Sequence, residues 1–88
     1  MKPVCLVIGA GAGIGGNVGK RFAQEGYHAY LARRTDEDGL KRIVGEIEAD
    51  GGTGEGQLLN AVEDNSIEAM VRHIEDNVGP IEVAVYNL

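Results

Sequence analysis

The apolar positions along the chain alternate between short strand-like runs and a helical spacing. The strand-like stretches predict four strands, at Val4–Ile8, His28–Ala32, Glu55–Leu59 and Ile81–Tyr86. Between them, apolar residues recur three and four positions apart, which predicts three helices. The apolar faces of these helices are Ile14, Val18, Phe22 and Ala23, then Leu40, Ile43, Val44 and Ile47, and finally Ile67, Met70, Val71, Ile74 and Val78. The predicted order is therefore βαβαβαβ.

This alternation predicts an α/β fold with a parallel sheet, right-handed crossovers and the strand order 3-2-1-4. Thr35 or Asp36 is placed to cap the second helix, and Asn65 or Ser66 the third. The first two helices would cover one face of the sheet and the third helix the other face alone. The fourth strand would form an open apolar edge. We therefore expect either dimerisation through this strand or the first half of a larger doubly wound fold.

A glycine-rich loop joins the first predicted strand to the first predicted helix. The order strand, glycines, helix is typical of a turn that binds the phosphates of a dinucleotide. Gly9 would let the chain leave the strand sharply, Gly13 would let backbone N–H groups approach a pyrophosphate, and Gly15 would let the helix pack closely. A second register, from Gly11 through Gly13 to Gly16, begins two residues after the strand ends, so the first is preferred.

The Gly19-Lys20 pair invites comparison with a nucleotide-binding P-loop, which the spacing excludes. That loop needs a glycine five residues before Gly19, where this chain has Ile14. It also needs a hydroxyl ligand for Mg²⁺ at the position of Arg21. A tight turn that binds nothing remains the other interpretation of the glycines.

Charge is distributed unevenly along an acidic chain. The formal net charge is −6, with a net +4 in residues 1–34 and −10 in residues 35–88. The acidic total argues against nucleic acids and anionic membranes as partners. The basic N-terminal third suits a phosphorylated small molecule, although solvated charges also cluster by chance. No apolar run approaches the length of a membrane-spanning helix.

Two arginines, Arg33 and Arg34, follow the second predicted strand. In dinucleotide-binding folds an acidic residue at this point accepts the ribose 2′-hydroxyl of NAD, whereas arginine accepts the 2′-phosphate of NADP. A guanidinium matches a phosphate in charge and in its paired donors. The sequence therefore predicts NADP(H) in preference to NAD, with Asp36 as the rival acidic candidate.

The single cysteine and the two histidines give no sign of a metal site or a disulfide. Cys5 lies inside the first predicted strand and is expected to be an inert core thiol, which suits a reducing cytoplasm. His28 and His73 have no metal-ligand spacing to each other or to Cys5, and we expect both at the surface.

The spacing of Gly9, Gly13 and Gly15 resembles the cofactor loop of the short-chain dehydrogenase/reductase family. That family usually has threonine before the first glycine, where this chain has Ile8. It commonly has an aspartate and then an apolar residue beside the adenine, and Asn60-Ala61 occupies that place here. The last residues resemble the family's N-N-A-G segment, in which Asn87 matches by type.

The resemblance implies that residues 1–88 form a Rossmann-like half-domain, cut before the catalytic segment. The parent protein would be an oxidoreductase that transfers hydride between nicotinamide and a carbonyl or alcohol substrate. Ala12 stands near the place where many NADP-preferring members have a basic residue. The implied cofactor-binding residues are Gly9, Gly11, Ala12, Gly13, Ile14, Gly15, Arg33, Arg34, Asn60, Ala61 and Asn87.

The family's chemistry uses a Tyr-x-x-x-Lys pair, in which the lysine lowers the pKa of the tyrosine. Four residues after Tyr27 and Tyr30 stand Leu31 and Arg34, and the sequence ends two residues after Tyr86. No catalytic residue is therefore assigned, and this chain is expected to be inactive alone. The alternatives are a stand-alone dinucleotide sensor that dimerises through the fourth strand and a structural fragment that binds nothing.

Overall fold

The computed structural model describes residues 2–9, 14–60 and 65–86. Within these residues, four strands and three helices alternate, as predicted. They are β1 (Val4–Ile8), α1 (Ile14–Gln24), β2 (His28–Arg33), α2 (Glu37–Ala49), β3 (Thr53–Leu58), α3 (Ser66–Asn77) and β4 (Ile81–Tyr86). The strands form one parallel sheet in the order β3-β2-β1-β4, which confirms the predicted topology.

Strand β1 lies at the centre of the core, and all five of its residues are buried. Successive side chains of a strand point to opposite faces, so β1 contributes to both sides of the sheet. The cluster on the side of α1 and α2 consists of Cys5, Val7, Ala23, Ala29, Leu31, Leu40, Ile43 and Ile47. The cluster on the side of α3 consists of Val4, Leu6, Ile8, Tyr30, Ala32, Leu59, Met70 and Ile74.

Strand β3 begins at Thr53, two residues earlier than predicted, because its glycines hide the strand pattern. Gly54 and Gly56 lie on the side of α1 and α2. A Cβ atom added to Gly56 would stand 3.1 Å from the Cβ atom of Leu40 in α2. The glycines therefore let α2 lie directly against the edge strand.

The other face of β3 carries polar side chains that bind to β2. The His28 Nδ1 atom lies 2.9 Å from Thr53 Oγ1, and its Nε2 atom lies 2.9 Å from Glu55 Oε2. The Tyr30 hydroxyl donates to Gln57 Oε1 at 2.6 Å. These contacts help to fix the register of a glycine-rich strand that few apolar contacts specify. His28, with a side chain only 18% exposed, is not the surface residue that the sequence suggested.

Strand β4 shifts its register against β1 after the first pair. Val4 pairs with Ile81 and Cys5 with Val83, so Glu82 is passed over. As a result, Ile81 packs on the α3 side and Val83 on the opposite side. Tyr86, near the end of β4, is 59% exposed. In the described residues α3 alone covers this face of the sheet, and it leaves the end of β4 exposed, as the topology predicted.

Close packing of α1 on the sheet depends on Gly19, and we expect Gly19→Ala to cost stability. The new Cβ atom would stand 2.6 Å from Cδ2 of Leu31, a fully buried side chain. Gly45→Ala in α2 is the matched control, because nothing lies within 4 Å of that position. Both changes gain the same helix propensity.

The Gly19→Ala chain should be less stable than the Gly45→Ala chain by about 1–3 kcal/mol, the usual cost of overpacking a core. Urea unfolding followed by circular dichroism measures the difference. Equal stabilities of the two variants would contradict the close packing of α1.

Candidate functional site

The ends of β1, β2 and β3 meet at one edge of the sheet. The Gly9 N–H group donates to the Ala32 carbonyl at 2.7 Å, and the Leu59 N–H group donates to the Arg33 carbonyl at 2.8 Å. These bonds extend the strand pairing by one residue on each side of β2. Gly9, Arg33 and Asn60 are therefore brought to the same carboxyl edge. In open parallel sheets this edge is where ligands bind.

Gly9 turns the chain away from β1 with a φ of 92°. Residues with a side chain rarely adopt this left-handed conformation. The first glycine of the predicted loop therefore allows the sharp turn that ends β1. Gly11, Ala12 and Gly13, the next predicted cofactor contacts, lie outside the described residues.

Helix α1 begins at Ile14 and lies tightly against the sheet. Gly15 is buried, and a Cβ atom added at Gly19 would stand 2.6 Å from Cδ2 of Leu31. The first turn of α1 contains no acidic residue. Its unpaired N–H groups and positive dipole end are therefore not opposed by a carboxylate of the same turn. This is a setting that favours an anion.

Arg33 and Arg34 differ in their surroundings. Arg33 closes β2, and its side chain is 24% exposed, with Nη1 lying 3.4 Å from Oδ2 of Asp36. Arg34 is exposed and makes no ion pair within the part of the chain that the structure describes. The carboxyl edge thus carries two guanidinium groups, one partly neutralised.

Asp36 is the N-cap of α2, which settles the choice between Thr35 and Asp36. Its Oδ1 atom accepts a hydrogen bond from the Gly39 N–H group at 3.0 Å. Its backbone has a φ of 67°, a left-handed conformation that aspartate and asparagine tolerate better than most residues. A Cβ atom on Gly39 would collide with the Asp36 carboxylate. Glycine at this helical position costs about 1 kcal/mol of helix propensity, and the contact accounts for it.

A cavity of about 490 Å³ opens beside the end of β3. It is lined by Gln57, Leu58, Leu59, Asn60, Ser66, Ala69, Met70 and His73. The Ser66 hydroxyl donates to the Asn60 carbonyl at 2.9 Å, which ties the start of α3 to the end of β3. The cap of α3 is Asn65, without a side-chain hydrogen bond. The resemblance implied that Asn60 contacts the cofactor, whereas Ser66 was expected only as a possible cap of α3.

The remaining predicted contacts, Ala61 and Asn87, lie outside the described residues. Within the ranges that the structure covers, no three His, Cys, Asp or Glu side chains converge as metal ligands. None of α1, α2 and α3 is long and apolar enough to cross a membrane.

Tyr27 and Tyr30 make contacts that stabilise the fold. The ring of Tyr27 packs edge-on against Phe22, with centroids 5.4 Å apart. The Tyr30 hydroxyl is bonded to Gln57. Burial, and then the negative charge of Glu55, raise the pKa of Tyr30. An acid–base tyrosine needs a lowered pKa, so the surroundings of Tyr30 do not prepare it for proton transfer.

A model of the short chain dehydrogenase family matches residues 3–88. The chain belongs to this family. A 3beta-hydroxysteroid dehydrogenase of Mediterraneibacter gnavus is 33% identical over 86 residues, which are 98% of this chain and 31% of that protein. The chain spans about a third of the length of the curated relatives that it matches.

Solved structures of short-chain dehydrogenases share the observed fold. A variant of actinorhodin polyketide ketoreductase, crystallised with NADPH, superposes with a TM-score of 0.86 and 31% identity, over 98% of this chain and 33% of that chain. A metagenomic short-chain oxidoreductase in complex with NADP superposes with a TM-score of 0.86 and 27% identity, over 93% of this chain and 37% of that chain. The Rossmann-like sheet order is thus the one found in this family.

Cys5 is expected to be unreactive in the folded chain. Burial raises the pKa of its thiol from 9.0 to about 11, so near pH 8 the thiolate is about 100-fold scarcer than in the unfolded chain. The native chain should react with Ellman's reagent at least about 100-fold more slowly than the chain in concentrated guanidinium chloride.

The Cys5→Ser chain is the blank for this assay, because Cys5 is the single cysteine. Similar rates for the native and unfolded chains would contradict the burial of the thiol in β1.

Proposed function

We propose that this chain provides the NADP(H)-binding part of an oxidoreductase that transfers hydride between nicotinamide and a carbonyl or alcohol substrate. The supporting observation is that Gly9 and Arg33 lie at neighbouring strand ends on one edge of the sheet, and that α1 begins five residues after Gly9. The nicotinamide, when bound, supplies the hydride chemistry. The role of the chain itself is to bind and orient the dinucleotide.

The start of α1 fits the pyrophosphate. The backbone of Gly9 turns sharply, and the buried Gly15 keeps the helix close to the sheet. Because the first turn of α1 has no acidic side chain, no carboxylate in that turn repels an anion bound at the helix N-terminus. We assign the pyrophosphate contacts to the loop between β1 and α1, through Gly9, Gly11, Ala12, Gly13, Ile14 and Gly15.

Arg33 and Arg34 fit the 2′-phosphate of NADP. A guanidinium group offers a phosphate both a positive charge and paired N–H donors. The 2′-hydroxyl of NAD is uncharged and does not require a positive partner. The similar structures crystallised with NADPH and NADP support the same cofactor here. The preference for NADP over NAD rests on the two arginines.

The adenine would lie near the end of β3. We assign its contacts to Asn60, which lines the cavity described above, and to Ala61, and we propose Asn87 as a further cofactor contact. The whole protein, of which residues 1–88 are the cofactor-binding half-domain, would carry the catalytic residues beyond this segment. The buried thiol of Cys5 suits a reducing compartment, and we propose the cytoplasm.

Calorimetric titration of the 88-residue chain with NADPH and NADH tests this function. The Arg33→Ala chain should bind NADPH about 10- to 100-fold more weakly, since it loses a charge-assisted hydrogen bond to the phosphate. Its affinity for NADH should stay within about twofold of the original. Arg42→Ala is the matched control, because it removes an exposed arginine from α2 without touching the carboxyl edge.

Two results would contradict the proposal. One is the absence of binding to either dinucleotide by a chain that circular dichroism shows to be folded. The other is an Arg33→Ala chain that loses NADPH affinity no more than it loses NADH affinity, or no more than the Arg42→Ala chain does. Either result would show that Arg33 does not bind the 2′-phosphate.

A second candidate function is a non-catalytic dinucleotide sensor that dimerises through β4. Its supporting observation is that Ala84 and Tyr86 are exposed on the α3 side of this edge strand. An unprotected strand edge offers hydrogen bonds to the same edge of another chain. In this alternative, the dimer would complete the sheet.

Ala84→Lys should weaken such a dimer strongly, because a charged lysine on an edge strand opposes its pairing with another strand. Sedimentation velocity of the original and variant chains measures the association. A monomeric original chain would contradict the sensor, as would a dimer that Ala84→Lys leaves intact.

A further inference from the structure

Arg33 already has an acidic partner at the carboxyl edge. Its Nη1 atom lies 3.4 Å from Oδ2 of Asp36. Within residues 2–9, 14–60 and 65–86 this is the charged contact that Arg33 makes. An incoming phosphate would therefore meet a guanidinium that is already engaged.

Three features hold the Asp36 carboxylate in this place. Its Oδ1 atom accepts the N–H group of Gly39 and so caps α2, while Oδ2 is left to face Arg33. The left-handed backbone of Asp36 directs the side chain over the start of the helix. Gly39 leaves the space that the carboxylate fills, since a Cβ atom there would collide with it. A freely moving surface carboxylate would need none of these features.

We propose that Asp36 is a positioning residue that tunes cofactor choice: its capping carboxylate holds Arg33 and competes with the 2′-phosphate for it. The proposal rests on the function given above and adds to it a regulator of its specificity. Asp36 weakens NADPH binding because the phosphate must displace it, and because two negative groups then lie near each other. NADH, which has no 2′-phosphate, does not meet this competition. Asp36 therefore reduces the preference for NADPH over NADH that Arg33 and Arg34 create.

Asp36→Asn tests the proposal with little disturbance of the fold. Asparagine and aspartate are about equally good N-cap residues, and asparagine also tolerates the left-handed backbone conformation. The variant should keep its unfolding midpoint within a few degrees. Its affinity for NADPH should rise about two- to fivefold, the range of a surface charge pair, while its affinity for NADH stays unchanged.

Two further chains separate the Arg33 contact from the general loss of a negative charge. Asp38→Asn removes a neighbouring carboxylate from the first turn of α2, and in the described part of the chain Arg33 forms its ion pair with Asp36 and not with Asp38. This control should leave the NADPH to NADH affinity ratio unchanged. In the Arg33→Ala background, Asp36→Asn should no longer raise NADPH affinity, which a double-mutant cycle measures directly.

The outcomes separate this inference from the proposed function. If the original chain binds NADPH through Arg33 but Asp36→Asn binds it equally or more weakly, the inference fails and the function stands. An equal gain in Asp38→Asn, or a gain that persists without Arg33, also overturns the inference. If neither the original nor the Asp36→Asn chain binds NADPH, both the function and the inference fail.

Discussion

The burial of β1 on both faces is the constraint on which the rest of the structure depends. A strand with apolar side chains on both sides must be covered by helices above and below the sheet. Helices α1 and α2 cover Cys5 and Val7, and α3 covers Val4, Leu6 and Ile8. This arrangement requires crossovers between parallel strands, and parallel strands collect their carboxyl ends at one edge. The candidate site therefore follows from the way the core is buried.

The same edge shows how charge is arranged within an acidic chain. Basic side chains are concentrated at the end of β2, while the first turn of α2 is acidic. Asp36 belongs to both, because it caps the helix and contacts Arg33. Helix capping and the contact with Arg33 thus share one carboxylate, so a change at Asp36 affects both. This coupling is local and depends on the small size of Gly39.

The two edges of the sheet are held in different ways. On its α3 side, β3 joins β2 through polar side chains, with His28 and Tyr30 reaching across to Thr53, Glu55 and Gln57. The inward side chains of β4 make apolar contacts, its Ile81 N–H group donates to Glu75 Oε2, and its register against β1 changes after Ile81. The β3 edge is thus made specific by hydrogen bonds, whereas the β4 edge keeps an open, partly apolar surface. This difference makes β4 the better candidate for further pairing.

The sequence by itself determined the order of the elements, the parallel sheet and the glycine turn at Gly9. These depend on periodicity and on backbone freedom, which a few neighbouring residues specify. The start of β3 was less clear, because glycines on one face and polar residues on the other leave no apolar alternation. The tertiary structure alone decided the contacts between distant residues. It placed His28 between Thr53 and Glu55, tied Ser66 to Asn60 and shifted β4 at Glu82. It also brought Gly9, Arg33 and Asn60 to one edge, because only the pairing of strands turns separate positions in sequence into neighbours in space.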